Sequence, residues 1–151
     1  MAEVQITSLV AGSIPAQDRP QALRLAGVDV TPLVSGGDSS RYELGLVAGC
    51  DGHGTPPHSH PWDETYFVIK GEIVIGVGSQ EQAFHAGDLV HIPAGERHWF
   101  RFDQSGEALD LTSGQQAFAM FQALVGVPEG SSADQYLSVA HAYGEEDRRK
   151  G

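Results

Sequence analysis

Three histidines and two adjacent carboxylates crowd the stretch GHGTPPHSHPWDETYFVIKG, residues 52–71. His58 and His60 are two positions apart, so in an extended chain their imidazoles point to the same side. Glu64 follows a turn containing Pro61 and opens the run ETYFVIK, in which Glu64, Tyr66 and Val68 share a face. Two imidazoles and a carboxylate on neighbouring strands can therefore converge on one point. A further group is available at His98 in RHWFRF, where His98, Phe100 and Phe102 share a face. Imidazole and carboxylate are the ligand types of first-row divalent ions. On these residues alone a polar surface loop is the commoner reading.

Other reactive side chains fit the site less well. Alternation turns Asp63 away from the side Glu64 faces. His53 lies before the ligand pair, His85 in a turn before Gly87 and His141 on the last helix, and all three read as surface residues. His91, in DLVHIP, could supply a proton or a supporting hydrogen bond, with an exposed or satisfied position as the simpler reading. Cys50 lacks an activating partner and reads as a small buried side chain.

The elements that must position these groups are mostly strands. The 151 residues include 19 glycines and 8 prolines, which favours short elements separated by many turns and a single domain. VDVTPLVSG and RYELGLVAG read as an antiparallel pair across the turn SGGDSS. ETYFVIK and EIVIGV, joined through Gly71, QAFHAGDLVHIPAG and RHWFRF continue at the spacing of a sandwich or barrel. Residues 1–27, broken by Pro15, Pro20 and Gly27, read as an extended arm with at most a short strand from Glu3 to Leu9. Beyond Leu111 the period changes. Ala117, Phe118, Phe121, Leu124 and Val125 form one helical stripe, and Tyr136, Leu137, Ala140 and Tyr143 form another between a serine cap and Gly144. EEDRRKG reads as a solvated charged tail.

Two patterns in this order and spacing resemble the paired motifs of the cupin superfamily. The first is Gly52, five residues, His58, one, His60, three, Glu64, six, Gly71. The second is Gly87, five residues, Pro93, one, Gly95, two, His98, with fifteen residues between the motifs. Phe102 stands where the second motif often has asparagine, which makes the inner wall less polar. The resemblance implies an all-β fold, the cupin double-stranded β-helix or jelly-roll barrel, over residues 28–112. The arm 1–27, a helical segment at 115–144 and the tail 145–151 complete one domain. It also implies that His58, His60, Glu64 and His98 hold one divalent metal ion, with Fe(II), Mn(II), Ni(II), Co(II) and Zn(II) all compatible. Four protein ligands leave two positions open on an octahedral ion.

Within cupins, TPPHSHPWDETYFVIKGE, ALDLTSG and YLSVAHAYGEE are similar to small quercetin-dioxygenase-like monocupins. That likeness implies a dioxygenase acting on a hydroxy-keto aromatic or polyketide-like molecule, with Glu64 as ligand and proton acceptor. Tyr66, Val68, Phe100 and Phe102 are the expected apolar substrate wall. A non-oxidative cyclase, lyase, decarboxylase or isomerase, or a small-molecule-binding cupin, would use the same site. The net charge of −11 disfavours nucleic acid, and no apolar run is long enough to span a membrane as a helix. A single cysteine and the lack of a signal-like start suggest a cytoplasmic protein. Outward-facing Thr65, Phe67 and Ile69 lead us to expect a homodimer, the alternative being that the arm and late helices cover them.

Overall fold

The structure, a computed structural model, describes residues 12–35 and 37–145. The expected strand from Glu3 to Leu9 and most of the charged tail lie outside the described residues. The strands are β1 (Leu23–Leu25), β2 (Val28–Val34), β3 (Tyr42–Gly49), β4 (His53–Gly54), β5 (Glu64–Val77), β6 (Gln80–His85), β7 (Leu89–Ile92), β8 (His98–Phe102) and β9 (Gly106–Ser113). Two helices follow, α1 (Ala117–Val125) and α2 (Ala133–Ala142). The fold is a curled, mostly antiparallel β-structure, as expected.

One strand builds both halves of the curl. The sequence reads as two runs joined through Gly71, whereas β5 is continuous for 14 residues. Its first half pairs with β7 and β9, its second half with β6 and β8. The transfer occurs where the register shifts between Val68 and Lys70, just before Gly71 at φ +67°. A Cβ at Gly71 would lie 2.0 Å from the Ser105 carbonyl oxygen, so only glycine admits this approach. One layer therefore runs β1-β2-β3-β9-β5-β7 and the other β6-β5-β8-β4. Between them lies a core that includes Val47, Tyr66, Val68, Ile73, Ile75, Ile92, Phe100 and Phe102.

The arm contains an unexpected element. β1 pairs with β2 through a tight turn at Ala26 and Gly27, both with positive φ. Among the described residues the sheet thus starts at Leu23 and ends at Ser113.

The two helices close one side of the barrel and leave its outer face bare. Helix α1 has no side-chain cap of its own. Instead the buried Glu43 of β3 accepts the Phe118 N–H at 3.2 Å, which places a carboxylate at the helix N-terminus. Gly45, two positions on, leaves room for the Phe118 ring, which a Cβ there would meet at 2.7 Å. Helix α2 starts at a capping box between Ser132 and Gln135. Leu124, Met120 and Ala117 of α1 pack with Ala140 of α2 and with Trp62. Val125, expected on the inward stripe of α1, is 42% exposed, and Met120 is buried in its place. Phe67 and Ile69 also remain exposed, so the helices do not cover that face. No helix among the described residues is long and apolar enough to cross a membrane.

Candidate metal centre and its cavity

A narrow antiparallel pair holds the first two histidines. The His58 N–H donates to the His98 carbonyl at 2.9 Å and the His98 N–H donates to the His58 carbonyl at 2.8 Å. Residues paired in this way put their side chains on the same face. His60, two positions beyond His58, joins them, and its own carbonyl accepts the Gly95 N–H at 2.8 Å. One ligand nitrogen from each ring of His58, His60 and His98 lies within 4.8 Å of the others, and all three residues are buried.

The backbone also sets which nitrogen faces inward. Nδ1 of His58 contacts the Pro56 carbonyl at 2.8 Å, Nδ1 of His60 the Trp62 carbonyl at 2.9 Å and Nδ1 of His98 the Glu96 carbonyl at 2.9 Å. A carbonyl can only accept, so each Nδ1 carries a hydrogen and, in a neutral ring, each Nε2 presents a lone pair. The Trp62 indole stacks on the His60 ring at 4.5 Å and further restricts its orientation.

Glu64 completes the group from the start of β5. Its Oε1 lies 3.2 Å from His98 Nε2 and 3.8 Å from His60 Nε2, and it accepts the Tyr66 hydroxyl at 2.7 Å. Burial pushes the Glu64 carboxyl up, but the His60 and His98 imidazoles outweigh it and hold the group well below the usual carboxylate range. Burial draws the His98 imidazole down, but the Glu64 carboxylate overrides this and raises it. Burial, with His98 nearby, lowers His58 to about 4, so its ring is neutral at physiological pH.

These donors fit a divalent ion. His60 Nε2 is buried and has no hydrogen-bond partner among the described residues. With Nδ1 already carrying its hydrogen, His98 Nε2 faces a Glu64 oxygen at 3.2 Å, a contact that a proton or a metal cation between them satisfies. Three imidazole nitrogens and one carboxylate form a donor set suited to first-row ions.

Beside this group opens a cavity of about 780 Å³. His58, His60, Glu64, Tyr66 and Asp110 line its polar end, while Val28, Val47 and Phe100 supply apolar wall from the sheet. Met120, Phe121 and Leu124 of α1 and Tyr136 and Ala140 of α2 close it from the helical side. His98 lies behind the lining and is 1% exposed.

The structure brings His58, His60, Glu64 and His98 together, and of the expected apolar wall Tyr66 and Phe100 border the cavity. Val68 and Phe102 do not. Both are fully buried in the core between the layers, because the strands carry them past the open end of the barrel. Asp63 points away from the cluster and accepts the Ala94 N–H at 2.8 Å. His91 is exposed and bonds Thr65 at 2.8 Å on the outer face. Cys50, expected to be buried, is half-exposed, with its thiol donating to Asp51 at 3.2 Å.

Sequence reasoning missed Asp110. It is buried on β9 beside Tyr66 and is hydrogen-bonded to Glu64, and burial followed by the Glu64 charge raises its carboxyl well above the usual range. In ALDLTS the leucines dominate the pattern, yet Leu111 faces outward at 39% exposure and the polar positions Asp110 and Thr112 face in. An aspartate alternating with leucines inside a strand was the available signal.

Residues 51–112 match the family model Cupin_2, described as a cupin domain. This chain carries a cupin domain. Among solved structures, KdgF from Halomonas sp. is similar to this chain with a TM-score of 0.63 and 16% identity, covering 72% of this chain and 99% of that one. The polyketide cyclase RemF from Streptomyces resistomycificus is similar with a TM-score of 0.60 and 19% identity, covering 70% of this chain and 79% of that one. A curated relative is acireductone dioxygenase from Sulfurihydrogenibium sp. (strain YO3AOP1), 36% identical over 52 residues. That match covers 32% of this chain and spans only 29% of the relative's length.

Proposed function

We propose that this cupin is a metal-dependent enzyme acting on an apolar, ring-bearing small molecule with neighbouring hydroxyl and keto oxygens, in a dioxygenase reaction. One observation carries the reading. His58, His60 and His98 each commit Nδ1 to a backbone carbonyl, so their Nε2 atoms meet beside Glu64 at the polar end of a largely apolar cavity. His58, His60, Glu64 and His98 would hold the ion. When bound, it would supply Lewis acidity and a place where substrate and dioxygen meet.

The chain's own residues would do the rest. Phe100, Val47 and the helical side chains Met120 and Leu124 would bind the apolar body and exclude water. Glu64, held by the Tyr66 hydroxyl, would accept the substrate hydroxyl proton. The short likeness to an acireductone dioxygenase supports oxygen chemistry. A non-oxidative reading, cyclase or lyase, rests on the same site and on a cavity large enough for a multi-ring molecule, with RemF as a fold neighbour.

Elemental analysis of protein purified without added metal tests the core of this proposal. The expected result is about one first-row divalent ion per chain, lost when His58 is replaced by alanine. Turnover of a panel of hydroxy-keto aromatics in air and under nitrogen then separates the two chemistries. A protein without metal affinity, or one that retains such molecules unchanged under both atmospheres, would overturn the enzymatic reading.

A further inference from the structure

We propose that Asp110 is a specificity-determining residue of this cavity, accepting a hydrogen bond from a second hydroxyl of the substrate, adjacent to the group that chelates the metal. The inference rests on the metal reading above and adds a requirement to it. The substrate carries a third polar substituent, a donor, next to its chelating pair.

Three observations carry it. Asp110 lines the cavity while only 5% exposed, so its carboxyl belongs to the cavity wall and not to the outer surface. Its Oδ1 is covered and has no hydrogen-bond partner among the described residues. Neither residue directly opposite it on the sheet fills that need. The cross-strand neighbours of Asp110 are Tyr66, whose hydroxyl is committed to Glu64, and Gly45, which has no side chain.

A buried acceptor left unmade is costly, and its persistence at a cavity wall points to a partner that arrives with the ligand. The terminal torsion of aspartate is soft, so a small rotation turns the free oxygen toward a bound molecule. Whether or not a proton sits between Asp110 and Glu64, the oxygen turned away from Glu64 accepts, so the ligand supplies the hydrogen. Because Asp110 touches Glu64, that donor must sit one substituent away from the atoms at the metal. Val47, Phe100, Met120 and Leu124 give a ligand body no directional contact, so a hydrogen bond to Asp110 orients the ring.

The test uses the Co(II)-loaded protein under nitrogen and three probes of one shape: catechol, pyrogallol and 3-methoxycatechol. Calorimetry gives their affinities, and the visible Co(II) bands report chelation independently of any turnover. Pyrogallol should bind about tenfold tighter than catechol, the worth of one buried hydrogen bond, whereas 3-methoxycatechol, which has no third donor, should show no gain. Asp110→Ala should abolish the preference. Asp110→Asn should keep most of it, since the amide can donate to Glu64 and still offer an oxygen to the ligand. Equal affinity of the wild-type protein for all three probes, or a pyrogallol preference that survives in Asp110→Ala, overturns the inference while leaving the metal site standing. Should Asp110→Ala fail to fold, the comparison of pyrogallol with its methyl ether on the wild-type protein decides alone. Failure of the wild-type protein to take up Co(II) overturns the metal reading and this inference with it.

Discussion

At the scale of residues, the carbonyl contacts at Nδ1 matter as much as the histidines themselves. They hold each imidazole in the tautomer and rotation that metal ligation needs, which would lower the ordering cost of binding an ion. Replacing His58 by alanine would remove one of the four proposed ligands and should weaken Co(II) or Zn(II) affinity by more than about 100-fold, measurable by competition with a chromophoric chelator. Tyr66→Phe is a subtler change. It deletes the hydroxyl that donates to Glu64 at 2.7 Å and leaves a buried carboxylate with one fewer partner. We expect a loss of about 1–3 kcal/mol in urea unfolding and a roughly tenfold fall in metal affinity. Residue types and spacing made the four converging side chains readable in advance, because ligand chemistry restricts both. Asp110 was masked, because Leu109 and Leu111 beside it imitate an inward apolar face while pointing outward, and only its own place in that alternation hinted at it.

At the scale of elements, short-range patterns placed the strands, and long-range contacts decided how they join. The alternation in ETYFVIK and EIVIGV was legible, but not that Gly71 carries one strand from layer to layer. That depends on Ser105, 34 residues away, approaching where a side chain would stand. Gly71→Ala combines a positive φ with a backbone collision and should destabilise the protein severely, by more than about 3 kcal/mol, or prevent folding; thermal melts and soluble yield check this. The dependence of α1 on Glu43 was hidden for the same reason, since the two meet only after β3 and the helix are assembled. Glu43→Ala removes the acceptor for the Phe118 N–H and should cost about 1–3 kcal/mol, with limited proteolysis cutting first in the helical segment.

At the scale of the whole molecule, the two layers and two helices leave one conspicuous surface uncovered. Phe67, Leu89 and Leu111 share the outer face of the first layer, with Phe67 directly opposite Leu89 and Leu111 opposite Thr65. Their exposures are 42%, 60% and 39%, and Tyr42 and Ile69 extend the row at 41% and 39%. On a chain of net charge −11, two copies repel one another almost everywhere, and a row without charged side chains is where that repulsion is weakest. A second copy laid against the same row would meet an identical apolar surface, the self-matching geometry of a two-fold interface. We therefore propose a homodimer through this face. Sedimentation velocity at micromolar concentration should give a dimer, and Leu89→Glu, which adds a charge at the most exposed position and touches no cavity residue, should give a monomer with unchanged metal content. A wild-type protein that sediments as a monomer would rule out this assembly and leave the barrel to function alone.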